Sequence, residues 1–329
     1  MNRDVRVGAT FLAVAGTLGT ASFLLSRRAS VHAATVQAPR FEVDPLWPKP
    51  LPNHWVMGNV IGVSVDAQDH IWIVHRAAAL ERMETYAAAN PPAADCCLPA
   101  PPVLEFDEEG NLLAHWGGPG KGYDWPETNH GITVDYKGNV WIGGNGRGGG
   151  APTINSAPGR GANATAGGDI VGGAPNARFH DNMILKFTQE GKFLMQIGKP
   201  DQSKGSNDTD NVKGAAKMFI DPKTNELIVA DGYGNHRVIV FDADTGKYKR
   251  HWGAYGHRPD DTNLGRYNPD APPAQQFRNP VHCAELSHDG LLYVCDRAND
   301  RIQVFRPDGT FVKEQFIERR TLGDGSVWD

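Results

Sequence analysis

The 329-residue chain has little charge and no long run of one sign. Charged residues make up 22% of it, the formal net charge is -5, and no run of Lys or Arg exceeds two residues. Proteins that bind nucleic acid carry a basic patch or stripe, so we predict no nucleic-acid partner. Hydrophobic residues make up 40% of the chain, which is enough to bury a large core. We therefore expect a globular protein.

Several common enzyme signatures are also absent. The motifs G-x-S-x-G, H-E-x-x-H and C-x-x-C do not occur, so serine-hydrolase, zincin and thioredoxin-like activities have no support. Helical periodicity is nearly absent as well, and residues 78–88 are the one candidate helix. The 38 glycines and 23 prolines fit a fold with many turns. The sequence predicts an all-β protein.

The first forty residues differ in composition from the rest. Arg3 and Arg6 precede an apolar run over residues 7–25, and a small-residue stretch around Ala33 and Ala34 resembles a cleavage site. We interpret residues 1–40 as an export signal or as an uncleaved anchor, in which case residues 7–25 attach the chain to a membrane. With either interpretation, residues 41–329 are exported, to the periplasm or outside the cell.

Four cysteines are few for a disulfide scaffold, but an oxidising compartment allows them to pair. A hairpin turn over residues 288–290 places Cys283 opposite Cys295, so this pair is a disulfide candidate, with two buried free thiols as the alternative. Cys96 and Cys97 form either a vicinal disulfide or two loop thiols without function.

The stretch from Asn279 to Phe305 shows the repeat on which the chain is built. Two apolar runs flank the turn at residues 288–290, a third follows Asn299-Asp300, and a fourth begins after residues 307–309. This pattern predicts a four-stranded antiparallel meander of about forty residues, the size of one β-propeller blade.

Three earlier segments repeat the pattern. A phenylalanine ends the third strand of each repeat, at positions 106, 187, 241 and 305. Insertions over residues 77–102 and 143–182 lengthen the first two repeats, and we predict that the second insertion is a flexible surface loop. Residues 41–43 and 326–329 read as single strands at either end, so four blades are visible in a β-propeller domain over residues 41–329. Because such repeats close into a ring, we expect that the sequence is C-terminally incomplete or that a partner chain closes the ring.

Five residues recur at equivalent edges of these blades. His130 and His282 stand immediately before a first strand, whereas Arg76, Tyr233 and Arg297 follow the end of a second strand. In a propeller both kinds of position lie at the same mouth of the central channel. Neutral imidazole is the commonest zinc ligand in proteins, so the two histidines are candidate zinc ligands. The alternative is that each histidine only hydrogen-bonds a turn.

Other polar residues fit structural roles. Arg237 and Arg301 belong to an N-x-R pattern that recurs between blades, which indicates a structural role at the blade interfaces. The histidines without a repeat-equivalent partner are assigned to the surface or to blade edges; they are His75, His115, His180 and His251.

The motifs at these positions resemble a known family. The N-x-R strands are similar to NHL repeats, and His130 to Asp135 match the pattern H-G-[LI]-x-[IV]-D of peptidyl-α-hydroxyglycine α-amidating lyase, the lyase domain of peptide amidation. Asp231-Gly232-Tyr233, Cys295 to Gln303 and His75-Arg76 are similar to further motifs of this family, in the same order. The resemblance implies a six-bladed β-propeller.

The resemblance also implies a metal site and an activity. Zinc would be held by His130, His282 and a third histidine beyond Asp329, and structural calcium by the backbone carbonyls of Val63 and Ile132. Tyr233, with a depressed pKa, would act as the base, and Arg76 and Arg297 would engage substrate oxygens. The implied reaction is cleavage of an N-Cα(OH) carbinolamide, such as a peptidyl-α-hydroxyglycine, to an amide and a glyoxylate-type acid.

Two other functions remain open from the sequence. The first is a non-catalytic exported NHL-repeat propeller that binds a protein or a glycan. The second is a calcium-dependent lactonase on a similar ring, which would carry acidic and Asn side chains around the channel in place of histidines.

Overall fold

The computed structural model describes residues 40–147 and 179–329 of the chain. Most of the predicted export signal over residues 1–40 lies outside this part. Residues 40–45 contain no helix or strand, so the strand predicted at Phe41 to Val43 is not formed. Both of these side chains are about 90% exposed, and an alternating pattern alone does not supply the neighbouring strand that a β-strand needs. In the described part of the chain, no helix is long and apolar enough to cross a membrane.

Antiparallel sheets make up most of the structure from Leu46 to Asp329. The described residues of this unit form eighteen strands: β1 (Trp55–Val56), β2 (Asn59–Val65), β3 (Ile71–Arg76), β4 (Leu98–Pro99), β5 (Val103–Phe106), β6 (Leu112–Trp116), β7 (Asn129–Val134), β8 (Val140–Gly144), β9 (Met183–Phe187), β10 (Phe193–Gly198), β11 (Lys217–Asp221), β12 (Glu226–Asp231), β13 (Arg237–Asp242), β14 (Tyr248–Trp252), β15 (Val281–Leu286), β16 (Leu292–Asp296), β17 (Arg301–Phe305) and β18 (Phe311–Phe316). The same residues form six short 3-10 helices: Pro52–His54, Ala77–Ala79, Arg82–Glu84, Tyr86–Ala88, Ala254–Gly256 and Arg297–Asn299.

Sixteen of these strands assemble into four sheets of four strands each, which we call blades 1 to 4, and β1 and β4 form a separate two-stranded sheet. Blade 1 has the order β2-β3-β5-β6, and blades 2, 3 and 4 contain β7 to β10, β11 to β14 and β15 to β18. Each blade is an antiparallel meander in which neighbouring strands follow one another in sequence, except that β4 of the insertion lies between β3 and β5 of blade 1. Residues 326–329, predicted to start a further strand, have no regular secondary structure.

The first strands of the blades lie side by side. Thr133 Oγ1 of β7 donates a hydrogen bond to the carbonyl of Met218 on β11 at 2.8 Å, and Val134 N donates to Ser64 Oγ of β2 at 3.0 Å. Gly62 permits this approach on β2, because a Cβ there would lie 3.0 Å from the backbone nitrogen of Ile132. Meander blades whose first strands pack together around one axis are the architecture of a β-propeller, as predicted.

The hydrophobic core lies between consecutive blades. On β12, Leu227 and Val229 pack toward blade 2, whereas Ile228 and Ala230 pack toward blade 4. This alternation is the two-residue period of a strand that is buried on both faces. Isolated blades would expose both apolar faces to water, so the blades stabilise one another.

Aromatic residues pack across the blade interfaces. Trp116 on the outer strand of blade 1 packs on Phe187 of blade 2 with ring centroids 5.1 Å apart, and Trp252 of blade 3 packs on Phe305 of blade 4 at 6.0 Å. Both phenylalanines end a third strand and are fully buried. The recurring phenylalanine of the sequence is thus the site where the neighbouring blade docks.

The insertion over residues 77–102 is ordered. The candidate helix at residues 78–88 is instead three separate 3-10 helices, and β4 pairs in parallel with β1. His75, assigned from the sequence to the surface or an edge, is fully buried: its Nδ1 accepts a hydrogen bond from Gly58 N, and its Nε2 donates to the carbonyl of Pro101. That assignment was wrong because the carbonyl partner of the ring lies in the insertion, which has no repeat pattern.

The insertion over residues 143–182 lies mostly outside the described residues. Its two ends are packed, since Gly143 and Gly144 belong to β8 and the side chains of Phe179 and Asp181 are buried. These ends therefore belong to the blade and not to a surface loop.

The N-x-R arginines occupy the structural positions expected of them. Arg237 Nε donates to Asp231 at 2.8 Å, and Arg301 Nε donates to Asp296 at 2.7 Å, with all four side chains fully buried. Arg237 also donates to carbonyls of Ser206 and Asn211 in the connection between blades 2 and 3. Buried pairs of this kind hold the connections between blades in place.

Candidate active site

The two predicted histidine ligands lie at β-bulges on first strands. The register of β7 and β8 shifts between His130 and Ile132, and that of β15 and β16 shifts between Val281 and Cys283, which brackets His282. A bulge turns a side chain away from the direction that regular pleating would give it. The sequence permits the first bulge because Gly131 has φ +71°, which favours glycine.

Tyr233 enters the site from the end of β12. Gly232 precedes it, and a Cβ at 232 would collide with the backbone of Val281 on blade 4. Tyr233 N donates to the carbonyl of Gly214 at 3.1 Å, and the side chain is almost fully buried. The glycine therefore lets the phenol reach between β11 and β15.

The phenol lies between the two imidazoles. Tyr233 Oη is 2.8 Å from His130 Nε2 and 3.0 Å from His282 Nε2. The ring centroids of the two histidines are 5.4 Å apart. The structure thus brings together the three residues that the sequence assigned to one channel mouth.

Backbone carbonyls fix the protonation pattern of both imidazoles. His130 Nδ1 is 2.9 Å from the carbonyl of Ala216, and His282 Nδ1 is 2.5 Å from the carbonyl of Trp328. A carbonyl oxygen only accepts, so each Nδ1 carries the hydrogen and each Nε2 of a neutral ring has a free lone pair. The Tyr233 hydroxyl has one proton to donate to two such lone pairs.

Burial keeps both rings neutral. Desolvation, with a smaller contribution from the neighbouring imidazole, lowers the pKa of His130 to about 3. Desolvation also lowers the pKa of His282 to about 4, with the positive charge of Arg297 contributing. Neutral imidazole is the form that binds a metal ion.

The pKa of the phenol differs from the expectation. Burial raises the pKa of Tyr233, and the positive charges of Arg297 and Arg76 only partly oppose it. The sequence predicted a depressed pKa for Tyr233, but without a bound metal ion its pKa is raised, because a buried phenolate loses its hydration. Any lowering has to come from a further positive charge in the site.

Arg297 is fully buried, and its guanidinium has no hydrogen-bond acceptor. None of the atoms Nε, Nη1 and Nη2 has a partner, and the group stacks on the ring of Trp328 at 4.0 Å. Burial lowers the pKa of Arg297, and the neighbouring Tyr233 oxygen and the negative charge of Asp324 oppose this effect. An unpaired buried cation is costly, so such a group in a native structure calls for an anionic or polar partner that binds there.

Arg76 is held more firmly at the other side of the site. Its Nε donates to the carbonyl of Asn129 at 2.9 Å, and its Nη2 donates to Asn145 Oδ1 at 3.0 Å. Burial lowers its pKa, and the negative charge of Asp181 opposes this effect. The guanidinium is therefore positioned next to His130 with part of its bonding capacity already used.

Sequence reasoning missed the groups that position these side chains. Asp181 accepts hydrogen bonds from the backbone nitrogens of Glu127, Thr128 and Gly146, which ties both ends of the second insertion to the edge of blade 2. Asn145 and Asp181 lie at the ends of an aperiodic Gly- and Asn-rich segment, where no repeat indicates their position. The sequence predicts that Trp328 lies at the start of a further strand, whereas in the structure its ring stacks on Arg297 and its carbonyl accepts a hydrogen bond from His282 Nδ1.

Val63 and Ile132, the predicted calcium ligands, lie on the neighbouring first strands β2 and β7. The calcium site stays a prediction.

A disulfide joins Cys283 to Cys295, which face each other on β15 and β16. It lies one residue from His282 and two residues from Arg297, so it fastens the hairpin that carries both. The structure also pairs Cys96 with Cys97. Disulfides are consistent with export to an oxidising compartment.

Among the described residues, one group of three side chains could hold a metal ion, and it is not in this site. Asp66, His70 and Glu105 cluster at a turn of blade 1. Asp66 accepts a hydrogen bond from Trp72 Nε1 at 2.9 Å, as Asp135 does from Trp141 Nε1 in blade 2. The repetition indicates that this aspartate is a structural part of the blade turn.

Comparison with known proteins gives distant relatives. No family model matches the chain. It is 35% identical over 186 residues to peptidyl-glycine alpha-amidating monooxygenase A of Xenopus laevis, a match that covers 56% of this chain and 15% of the relative. Peptidyl-glycine alpha-amidating monooxygenase of Mus musculus is 30% identical over 128 residues, or 39% of this chain and 12% of the relative. The matches thus span a small part of these relatives.

The solved structures that resemble this chain have low sequence identity to it. A catalytically inactive virginiamycin B lyase from Staphylococcus aureus, bound to quinupristin, has a TM-score of 0.43 and 15% identity, with 83% of this chain and 60% of that chain covered. A gluconolactonase from Xanthomonas campestris has a TM-score of 0.41 and 12% identity, with 79% and 63% covered.

Proposed function

We propose that this chain is a zinc-dependent lyase that cleaves an N-Cα(OH) carbinolamide of the peptidyl-α-hydroxyglycine type to an amide and a glyoxylate-type acid. The observation that carries the proposal is the convergence of two neutral imidazoles on one phenol, beside a buried guanidinium without an acceptor. The distant similarity to peptide-amidating monooxygenases supports the same class of chemistry.

The donor set fits a metal ion. His130 Nε2 and His282 Nε2 both offer lone pairs to a hydroxyl that can donate only one proton, which leaves one acceptor unsatisfied. Each Nδ1 donates to a backbone carbonyl, an arrangement that orients metal-binding histidines. His130 and His282 would therefore hold zinc. Zinc bound there would supply positive charge that polarises the substrate hydroxyl and lowers the pKa of Tyr233.

Tyr233 is suited to move the proton. The base would be the phenolate, formed when Tyr233 loses its own proton to solvent in the metal-loaded site. The phenolate Oη takes the proton of the substrate hydroxyl, an electron pair of the hydroxyl oxygen forms the carbonyl of the acid, and the N-Cα bond breaks. The departing amide nitrogen then receives the proton from the same Oη, so that atoms and charge balance. The buried position of the phenol excludes water from this transfer.

The two arginines bind the oxygens of the substrate. Arg297 has all three guanidinium nitrogens free for a carboxylate, and a guanidinium can bind a carboxylate through two parallel hydrogen bonds. Arg76 supplies a second positive charge near Tyr233. Together they orient the Cα-OH group toward the phenol.

The test is an activity assay. The purified chain is supplied with zinc and with benzoyl-α-hydroxyglycine, and turnover is measured as the release of benzamide and glyoxylate. Tyr233→Phe should lower kcat about 100-fold or more, because the variant lacks the oxygen that transfers the proton. Its zinc content should be retained, because both proposed metal ligands are still present. His130→Ala and His282→Ala should lose both zinc and turnover.

His288→Ala is the matched control, because His288 is exposed at the turn of the same hairpin as His282. It should keep zinc and turnover. A chain that binds no zinc and releases no glyoxylate is instead a binding propeller, and turnover that survives Tyr233→Phe would exclude the assigned role of the phenol.

A further inference from the structure

A second polar site lies outside the candidate active site. A cavity of about 130 Å³ is formed by the connection over residues 264–278 and by the end of blade 4. Four arginines line it, namely Arg266, Arg278, Arg301 and Arg319, and no acidic residue does. A concave surface lined by guanidinium groups of one charge favours an anion.

The charges of these arginines are not equally compensated. Arg301 is paired with Asp296 at 2.7 Å and with Glu314 at 3.2 Å. Within residues 40–147 and 179–329, no carboxylate lies within salt-bridge distance of Arg266, Arg278 or Arg319. In this part of the chain, the four guanidinium groups thus have two carboxylates near them, Asp296 and Glu314, and the charge of Asp296 also acts on Arg278, so the cavity has an excess of positive charge.

Neutral oxygens position two of the uncompensated groups. Arg278 is buried and its Nε donates to Asn299 Oδ1 at 3.0 Å. Arg319 Nη2 donates to the carbonyl of Ala271 at 2.9 Å, while its Nε is buried without an acceptor. An unsatisfied buried donor on a fixed guanidinium is the group that a bound oxyanion would satisfy.

The rest of the lining is apolar. Pro272, Pro273 and Phe316 border the cavity, and the guanidinium of Arg319 stacks on the ring of Phe316 at 4.4 Å. Proline and phenylalanine surfaces bind hydrocarbon and offer no hydrogen bond to a fully hydrated inorganic ion. The ligand that fits both parts has one anionic head and a small apolar body.

We infer that this cavity binds a small organic carboxylate, with its head on Arg278 and Arg319 and its apolar body against Pro272, Pro273 and Phe316. The site is separate from the candidate active site, although both adjoin the 3-10 helix Arg297–Asn299. Arg297 faces Tyr233, whereas Asn299 lines the cavity. The inference does not depend on lyase activity.

Isothermal titration calorimetry of the whole chain with benzoate tests it. Benzoate should bind saturably, and benzamide, which has the same shape without the charge, should bind at least about tenfold more weakly. Arg319→Gln should weaken benzoate binding about tenfold or more. Arg320→Gln is the matched control, because this exposed neighbour pairs with Asp270 and does not line the cavity.

Arg278→Gln serves as a second variant, with circular dichroism to establish that it is folded, and it should lose benzoate binding as Arg319→Gln does. Three outcomes would overturn the inference: no saturable binding of benzoate, equal losses in Arg319→Gln and Arg320→Gln, or binding of inorganic phosphate without binding of benzoate.

Discussion

Arg297 and Arg301 lie four positions apart, are both fully buried, and differ in what surrounds their charge. Arg301 has Asp296 and Glu314 as salt-bridge partners. Arg297 has no salt-bridge partner among the described residues: its guanidinium stacks on Trp328 and faces Tyr233, with the charge of Asp324 acting from a greater distance. A buried cation without a partner lowers stability, and a paired one stabilises because its removal leaves the carboxylate uncompensated. We therefore expect Arg301 to be a structural residue, and the proposed function assigns Arg297 to substrate binding.

We predict opposite effects of the same substitution at these positions. Arg297→Met should leave the free energy of unfolding unchanged or raise it by about 1 kcal/mol, while the turnover of the carbinolamide falls sharply. Arg301→Met should lower the free energy of unfolding by about 3 to 5 kcal/mol. Urea denaturation at pH 7 measures both. Equal destabilisation by the two variants would show that Arg297 is a structural residue.

At the scale of single residues, the sequence predicted which side chains converge only where they occupy equivalent positions in the repeat. His130, Tyr233 and His282 were found because equivalent edges of different blades bring residues to one place. The burial of His75 and the role of Asp181 were missed because their partners lie in or beside insertions without a period. The raised pKa of Tyr233 depends on the depth of burial, which spacing along the chain does not report.

At the scale of elements, Arg250 joins an ion pair within blade 3 to a hydrogen bond that reaches the turn of blade 4. Glu226 at the start of β12 receives hydrogen bonds from Arg250 on β14, and Arg250 also donates to the carbonyl of Pro307 in blade 4. The hydrogen bonds from Arg250, with Lys249 contributing, lower the pKa of Glu226 to about 2 against a desolvation that would raise it.

This pKa predicts a pH-dependent stability. A carboxylate with a lowered pKa in the folded state stabilises the fold above its ordinary pKa of about 4.5, and the stabilisation is lost as the pH falls toward 2. Glu226→Gln should therefore be less stable than the unmodified chain by up to about 3 kcal/mol at pH 7, and the difference should shrink between pH 4.5 and pH 2.

Urea denaturation across this pH range provides the measurement. Glu285→Gln is the control: Glu285 is about half exposed and paired with Lys217, so its removal should change stability by about 0.5 kcal/mol or less. A Glu226→Gln difference that is the same at every pH would contradict the role of this ion pair.

Strand positions within blades could be predicted because hairpin turns and apolar runs recur, and each meander is formed by neighbours in sequence. The prediction of a strand at residues 41–43 was wrong, because a single strand forms only where the edge of a sheet is available to pair with it, and local sequence does not show whether such an edge exists. The ordered structure of residues 77–102 could not be predicted from the sequence. It includes the pairing of β4 with β1, which are about forty residues apart, and a local sequence pattern does not indicate such a pairing.

For the whole molecule, each of the four blades supplies a different part of the candidate site. Arg76 comes from blade 1, His130 from blade 2, Tyr233 from blade 3, and His282 with Arg297 from blade 4. A metal ion held by His130 and His282 would connect blades 2 and 4 directly. A ligand that binds only the folded arrangement stabilises it by mass action.

We predict that zinc raises the melting temperature of the chain. At a free zinc concentration 100 times Kd, the stabilisation should be about 2.7 kcal/mol, or about 5 °C for a domain of this size. Differential scanning calorimetry measures the shift, which should be absent in His130→Ala and retained in His288→Ala. A shift that persists in His130→Ala and disappears in His70→Ala would assign zinc to the cluster of Asp66, His70 and Glu105.

The division of the site among the blades makes the repeats non-interchangeable. Although the four blades are similar in backbone, they contribute different sets of side chains to the candidate site: a guanidinium from blade 1, an imidazole from blade 2, a phenol from blade 3, and an imidazole with a guanidinium from blade 4. Exchanging the order of blades 2 and 3 would preserve every hairpin and most of the packing chemistry, yet it would move the phenol out from between the imidazoles. The order of the blades along the chain therefore determines which side chains meet at the candidate site, even where it has little effect on how each blade folds.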